Sequence, residues 1–566
     1  MIDFKNKIVI ALSGLIESVE PKEIEGMIEV PDDSNMGDYA FPCFKLARIF
    51  RKSPNIIAED IAGRIEDEDY LESVESVGGY VNFKIDKETY VSHVMGNVIG
   101  EKDSYGSSRE GMGKKVVVEF SSPNIAKPFH IGHIRTTVIG NSINRIYKFL
   151  GYDTVSVNHL GDYGTQFGKL IVAFSLWGEQ KTVEKEPIKE LLKLYIRFHE
   201  EAEEAPELDD QARDWFKRLE NKDPEAVEMW QWFCDVSLKE FSRVYSLLDI
   251  EFDSYAGESF YSDKMPAIVD EMREKNLLEM SQGAEIVNLE EYGMPPAIIT
   301  KRDGSTLYIT RDIAAAKYRK ETYDFYKNIY VVGSQQILHF KQLIKILEMM
   351  GCQWAGDCVH VPFGMVALEE GTMSTRKGRV VFLEDVLKKA VERTEEIIEG
   401  KNPNLENKHE VARQVGIGAV MFQELSNSRI KDYVFSWEKT LSFEGETGPY
   451  VQYTHARCSS LLRKGGRQEV DEFDASILTD DISMDIVRQL GKFKETVAEA
   501  GRKYEPAVIS RFVVDLAQLF NRFYHEHSIV VEDMKVRNAR LALAYCVKQT
   551  LKNGLALLGI QAPEKM

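Results

Sequence analysis

Apolar and polar positions change their period along the chain, and each change marks a part. Residues 1–106 open with helical spacing, pass through the loop "PDDSNMGDYAFPCF" and more helix, and reach "SVGGYVNFKID", whose alternation predicts a strand. This reads as a small α+β module, followed by the Gly-rich linker "SYGSSREGMGKK". From Lys114 onward short β-branched runs alternate with helical spacing. "KKVVVEF", "DTVSVNHL", "PAIITKRDG", "STLYITRD", "NIYVVGSQQ" and "CVHVPFGMV" are predicted strands. "HIGHIRTTVIGNSINRIYKFLG" repeats apolar residues at helical spacing before Gly151 stops it, and "QILHFKQLIKILEMMG" does the same later.

Alternation of this kind predicts an α/β fold, a Rossmann-like doubly wound parallel sheet over residues 107–380. A charged, acidic helical block at about 179–240 interrupts it and reads as an insertion. Strands become scarce past residue 380. Residues 381–444 read as a connecting helical segment, and 445–566 as an all-α terminal domain built from stretches such as "VVDLAQLFNRFYHEH".

Composition narrows the function classes. With 566 residues the chain is long enough for several cores, and no apolar run approaches the roughly 20 residues that span a bilayer. No signal or transit peptide is readable at the N-terminus, so a cytoplasmic location without membrane association is expected. Six scattered cysteines include no C-x-x-C pair and no zinc-ligand spacing, so they read as reduced thiols and no metal site of the protein's own is expected. A net charge of −20 argues against indiscriminate nucleic-acid binding. Its distribution is uneven: residues 501–566 carry ten Lys/Arg against six Asp/Glu, whereas 181–230 carry nine against fifteen. The C-terminal segment is therefore the expected polyanion surface, a basic track among acidic solvent faces.

The densest chemistry lies in "FSSPNIAKPFHIGHIRTT", Phe120–Thr137, where a predicted strand hands over to a helix. In an α/β sheet that is the ligand-binding edge, and a helix N-terminus there offers free N–H groups to an anion. His130 falls just before the helix and His133 in its first turn, so both can present ring N–H groups to one anion. Gly132 between them leaves room for a flat ring such as a nucleobase. Two imidazoles three apart also fit a metal pair or an acid–base pair.

The string His-Ile-Gly-His preceded by "SSPNIAKP" resembles the first signature motif of the class I aminoacyl-tRNA synthetases, the arginyl type in particular. "MSTRKG", Met373–Gly378, resembles the arginyl form of that family's K-M-S-K-S motif. Thr372 stands in place of its first lysine and Arg376 at its final serine. The resemblance implies that Lys127 supplies the missing cation. It also implies that ATP is held by His130, Gly132, His133, Met373, Ser374, Arg376 and Lys377, with His339 either on the nucleotide side or packing a helix. His130, His133, Lys127, Ser374 and Lys377 would then be the catalytic set, with Mg²⁺ assisting.

"LYITRDIAAAKYR" is similar to a family segment whose tyrosine and aspartate hold the substrate side chain. It implies an L-arginine pocket of Tyr308, Asp312, Glu119, Ser121, Asn124 and Gln336. The chemistry agrees, because a guanidinium is permanently charged and planar and is told from lysine by carboxylates in a fixed fork. "NHLGDYGTQFGKL" is placed near the substrate by the same likeness. The N-terminal module resembles the arginyl-type domain that contacts the D-loop side of tRNA, with Tyr80 and Asn82 as candidate contacts. The C-terminal helices resemble an anticodon-binding domain, in which Tyr450 and Tyr453 either stack on bases or belong to the core.

The expected function is thus ATP-dependent ligation of L-arginine to tRNA(Arg) through arginyl-adenylate, by a monomer that requires tRNA before it activates the amino acid. Two rivals are a small nucleotidyltransferase, which would lack the long helical tail, and a tRNA-binding paralogue without catalysis, which would have no need of the ATP motif.

Overall fold

Val116, Val117 and Val118 have no exposed surface, which is why this run reads as unbroken hydrophobic sequence: a strand central to a parallel sheet is covered on both faces. They belong to β1 (Lys115–Glu119), which pairs in parallel with β2 (Asp153–Val157) on one side and β3 (Lys327–Gly333) on the other; β3 in turn pairs with β4 (Cys358–Phe363). The order β4-β3-β1-β2 reverses direction between β1 and β3. That reversal opens a crevice beyond the carboxyl ends of the two strands, where Glu119 is in register with Tyr330.

The computed structural model describes residues 4–31, 36–65, 68–302, 308–368, 381–467, 470 and 472–566. They form two compact units. One comprises Gly106–Tyr453, Lys494–Val514 and Lys552–Met566 and holds the parallel sheet; the other comprises Met1–Tyr105, Thr454–Phe493 and Asp515–Leu551.

In the sheet-bearing unit, α1 (Ile134–Phe149) follows β1 and is buried over most of its length. Two of its buried hydroxyls find backbone acceptors: Thr136 Oγ1 donates to the Val331 carbonyl at 2.7 Å and Ser142 Oγ to that of Leu557 at 2.9 Å. The helix stops at Gly151, whose φ of +86° suits glycine alone. The acidic block forms helices Gln180–Lys185, Pro187–Glu204 and Glu207–Glu220, then α2 (Pro224–Leu248), started by Pro224 and an Asp223 side chain that accepts from the Ala226 N–H. Two sheet helices complete the frame, α3 (Tyr308–Tyr323) and α4 (Ile337–Met349).

Two sequence expectations fail here. Ala297–Thr300, expected in the parallel sheet, pairs antiparallel with Ala284–Val287 in a separate three-stranded sheet. "YITRD", expected as a strand, is the start of α3; the β-branched Ile309 and Thr310 are outweighed by the helix formers Ala314, Ala315 and Ala316 that follow.

In the other unit, Leu71–Val77 and Tyr80–Ile85 form a hairpin whose two central residues, Gly78 and Gly79, both have positive φ as the tight turn requires. Tyr39–Pro42 adds a third strand. The Tyr105 hydroxyl donates to the Leu490 carbonyl at 2.8 Å, and Arg488 pairs with Asp38 at 3.0 Å, so the N-terminal residues and the Thr454–Phe493 segment join within this one unit. Among the described residues no helix is long and apolar enough to cross a membrane.

Candidate active site

The segment after β1 leaves the sheet through a strained turn. Ser121, Ser122 and Ala126 have φ of +72°, +48° and +60°, a region that costs a non-glycine residue about 1–2 kcal/mol. Hydrogen bonds from three elements offset that cost: the Ser121 N–H donates to Thr136 Oγ1 (3.1 Å), that of Ser122 to Asn158 Oδ1 (3.1 Å), and that of Ala126 to Ser237 Oγ on α2 (3.1 Å). The Ser121 side chain is buried, bonded to the hydroxyls of Thr137 and Tyr245. Gly161 lies so close that a Cβ there would sit 2.2 Å from Asn124 Oδ1. Pro123 and Ile125 exchange backbone hydrogen bonds with that glycine, which leaves Asn124 exposed.

The two histidines cap each other. The His130 N–H donates to His133 Nδ1 at 3.2 Å, and the Gly132 N–H donates to His130 Nδ1 at 3.1 Å. A ring nitrogen that accepts carries no proton, so each imidazole is the Nε2–H tautomer, with its donor turned away from the backbone. The short 3₁₀ turn Ile131–His133 precedes α1, so His133 caps the helix and does not lie in its first turn. Four backbone N–H groups ahead of the helix are engaged: His130 and Gly132 give theirs to the rings, Ile131 to the Val381 carbonyl and His133 to that of His130. The rings add donors of their own at this terminus.

Both rings are held neutral. Burial, with His130 and Lys127 adding, pushes His133 down to about 3, and burial lowers His130 as well. Phe129 stacks on His133 at 5.3 Å, and the two imidazoles are 4.0 Å apart. The arrangement supplies two uncharged N–H donors; acid–base work near neutrality does not suit it.

The same segment, through Asn124 and Lys127, lines a cavity of about 390 Å³ whose wall also includes Tyr163, Gln166, Glu258 and Tyr308. Tyr308 is 66% exposed at the start of α3, and one turn on Asp312 receives His339 Nε2 at 2.6 Å. His339, expected either on the nucleotide side or packing a helix, is a partner of the aspartate. Gln336 is exposed at the end of the 3₁₀ turn Ser334–Gln336 after β3. Glu119 is buried, with Oε2 2.6 Å from the Arg319 guanidinium, which is itself 1% exposed.

Sequence reasoning missed Glu258 and Arg311. They pair at 2.9 Å, and the guanidinium of Arg311 faces the rings of Tyr163 and Tyr308. Burial raises Glu258 to about 7, with the Asp312 and Asp162 carboxylates adding to the rise against Arg311 and Lys127. No local pattern marks Glu258; only the fold brings it to the cavity.

Met373, Ser374, Arg376 and Lys377 lie outside the described residues. In the other unit, Tyr80 is half-buried with its ring 5.1 Å from Phe44, whereas Asn82 is 7% exposed, since it faces inward from its strand. Tyr450 is half-buried and Tyr453 41% exposed on Gly448–Lys464.

Three family models match the chain: the class I (R) tRNA synthetase catalytic domain over residues 90–437, the DALR anticodon binding domain over 451–566 and the arginyl tRNA synthetase N-terminal domain over 3–85. Relatives named arginine–tRNA ligase from Halothermothrix orenii and Clostridioides difficile are each 62% identical over the full length of both chains. The fold is that of the Thermus thermophilus arginyl-tRNA synthetase, with a TM-score of 0.83 at 24% identity, covering 100% of both chains. The Plasmodium falciparum enzyme aligns with a TM-score of 0.79 at 25% identity, over 100% of this chain and 99% of the other. With a catalytic-domain match over more than half its length and full-length relatives at this identity, the chain belongs to the arginyl-tRNA synthetase family.

Proposed function

We propose that the crevice between β1 and β3 carries out both steps of arginine–tRNA ligation. A carboxylate oxygen of arginine attacks the α-phosphorus of ATP, the bond to pyrophosphate breaks, and arginyl-adenylate remains. The 2′-hydroxyl of the tRNA's terminal adenosine then attacks the arginyl carbonyl carbon and AMP departs.

The observation that carries this reading is the reciprocal cap of His130 and His133, which fixes two neutral Nε2–H donors at the switch point of the sheet. Donors fixed in advance stabilise charge that builds on phosphoryl oxygens without having to reorganise. Lys127 adds a cation on the cavity wall, and the segment bearing Ser374 and Lys377 is assigned to the departing pyrophosphate by family likeness. Mg²⁺ is assigned to the nucleotide's phosphates by family likeness.

For arginine, Asp312 and Tyr308 are assigned to the guanidinium and Asn124 to the amino-acid backbone, with Glu258 as a carboxylate on the cavity wall that Tyr308 and Asn124 share. Glu119 is assigned an indirect part, because Arg319 already occupies one of its oxygens. Tyr80 and Phe44 form an aromatic pair suited to an unstacked tRNA loop base. Activation is proposed to await bound tRNA, in a cytoplasmic monomer. The test is pyrophosphate exchange into ATP with each amino acid, with and without tRNA(Arg). Exchange that is fast without tRNA would remove the last point; exchange with lysine equal to that with arginine would remove the pocket assignment.

A further inference from the structure

We infer that Arg135, two residues past His133, is a positioning residue that locks the strand leading into the second motif against the first; the inference rests on the reading above.

Arg135 has no exposed surface. Its Nη1 donates to the Lys431 carbonyl at 2.7 Å and to that of Gly364 at 3.2 Å, and Nη2 donates to that of Ser428 at 3.4 Å. Nε lies 3.6 Å from Glu424 Oε2, and the guanidinium faces the Tyr433 ring at 5.2 Å. The Tyr433 hydroxyl is hydrogen-bonded to the other Glu424 oxygen. A buried ion pair is poor value for stability alone, and an apolar side chain of similar volume would often do as well. Here Nε and Glu424 Oε2 even lack a hydrogen-bond partner. The distinctive output of this arginine is the geometry it imposes on three backbone carbonyls.

Those carbonyls belong to two chains that run on as a pair. Past Gly364 comes the strand Val366–Leu368, and past Lys431 comes Tyr433–Phe435, its parallel partner. The Gly364 N–H donates to the Arg429 carbonyl at 2.8 Å and that of Tyr433 to Met365 at 3.1 Å. A Cβ on Gly364 would lie 2.6 Å from both the Lys431 backbone and the Asp432 carboxylate, so the two chains are already in closest approach. Arg429 fixes the far side, donating to the Pro362 and Tyr504 carbonyls at 2.6 and 3.0 Å.

The sequence after Leu368 carries Met373–Lys377 and leads on to Val381. There Ile131 donates to the Val381 carbonyl at 3.1 Å and Leu383 to that of Phe129 at 3.0 Å. The described residues on both sides of the second motif are thus tied to residues 129–135. The downstream tie is backbone, and the upstream tie is the Arg135 guanidinium. Lysine keeps the charge but cannot span three acceptors from one planar fork.

The experiment uses full-length R135K and Y433F, checked by thermal unfolding, in tRNA-dependent pyrophosphate exchange and single-turnover adenylate formation. R135K is expected to lower the adenylation rate about 10- to 100-fold, the scale of a misplacement near 1 Å, while KM for arginine stays within about threefold. Y433F, which only loosens Glu424, is expected to give a smaller loss in the same rate, again with KM for arginine unchanged. A folded R135K at the parental rate overturns the inference, as does a loss that tracks the folded fraction and moves every parameter together. If R135K does not fold, Y433F decides: a parental adenylation rate there overturns it. A parent that fails to charge arginine would refute the site reading instead, so the two failures are distinguishable.

Discussion

His133 does two jobs with two nitrogens, and substitution can separate them. Its Nδ1 caps the His130 N–H at 3.2 Å, and its Nε2–H is the donor assigned to phosphate. His133→Ala removes both; His133→Gln keeps an acceptor for the cap, as in the usual capping box, but withdraws the ring donor. An oxyanion donor is worth about 3–4 kcal/mol, so both variants are expected to lose about 10²- to 10³-fold in single-turnover adenylate formation. Only the alanine leaves a half-buried N–H unpaired, so it alone should lose about 1–3 kcal/mol of stability. The pH dependence follows with a definite sign. His133 is held near 3 in the folded state against 6.5 when free, so the unfolded chain binds more protons between those values. Its contribution to stability is complete above about 6.5 and is lost as pH falls toward 3, with a slope of at most about 1.4 kcal/mol per pH unit. Urea unfolding at pH 7 and pH 5 should therefore show a shallower acid loss in H133Q than in the parent. Adenylate formation by H133Q within about threefold of the parent would refute the donor role, and an unchanged acid limb would refute the neutral buried ring.

Asp312→Asn should raise KM for arginine about 10²-fold, the worth of one charge-assisted hydrogen bond, with KM for ATP unchanged; a parental KM for arginine would exclude the carboxylate from the pocket. Glu258 is raised to about 7, so its charge, and with it arginine affinity, should grow as pH rises through 7. Glu258→Gln should weaken arginine binding and abolish that inflection, which calorimetric titration from pH 6 to 8 would reveal. Gly168 packs so close to the Glu207–Glu220 helix that a Cβ would sit 1.9 Å from the Ala212 carbonyl oxygen. Gly168→Ala should cost about 1–3 kcal/mol by overpacking, read as a lower Tm, and an unchanged Tm would show that the helices part freely.

What the sequence made legible is what local pattern controls. Three consecutive valines marked the central strand, helical spacing marked α1 through to its glycine stop, and the two histidines sit where that strand passes into that helix. Their coupling was not readable, because mutual capping depends on ring orientation. Nor was the arginine that meets Glu119, since Arg319 is 200 residues away in sequence and an ion pair leaves no periodic trace. The same holds for Glu258 with Arg311 and for His339 with Asp312. "YITRD" misled because β-branching is a short-range signal, overridden by the alanines one turn later. Asn82 misled because a polar residue on a strand carries no mark of which face it takes; it faces the core.

The crevice is proposed to join arginine, and arginine alone, to tRNA. The most direct measurement is charging of tRNA(Arg) with each radiolabelled amino acid in the presence of ATP and Mg²⁺, the parent beside H133A and D312N. Label transfer is expected with arginine only, with AMP and pyrophosphate released, and a deep loss in both variants. Charging with another amino acid, or undiminished arginine charging by the variants, would contradict it.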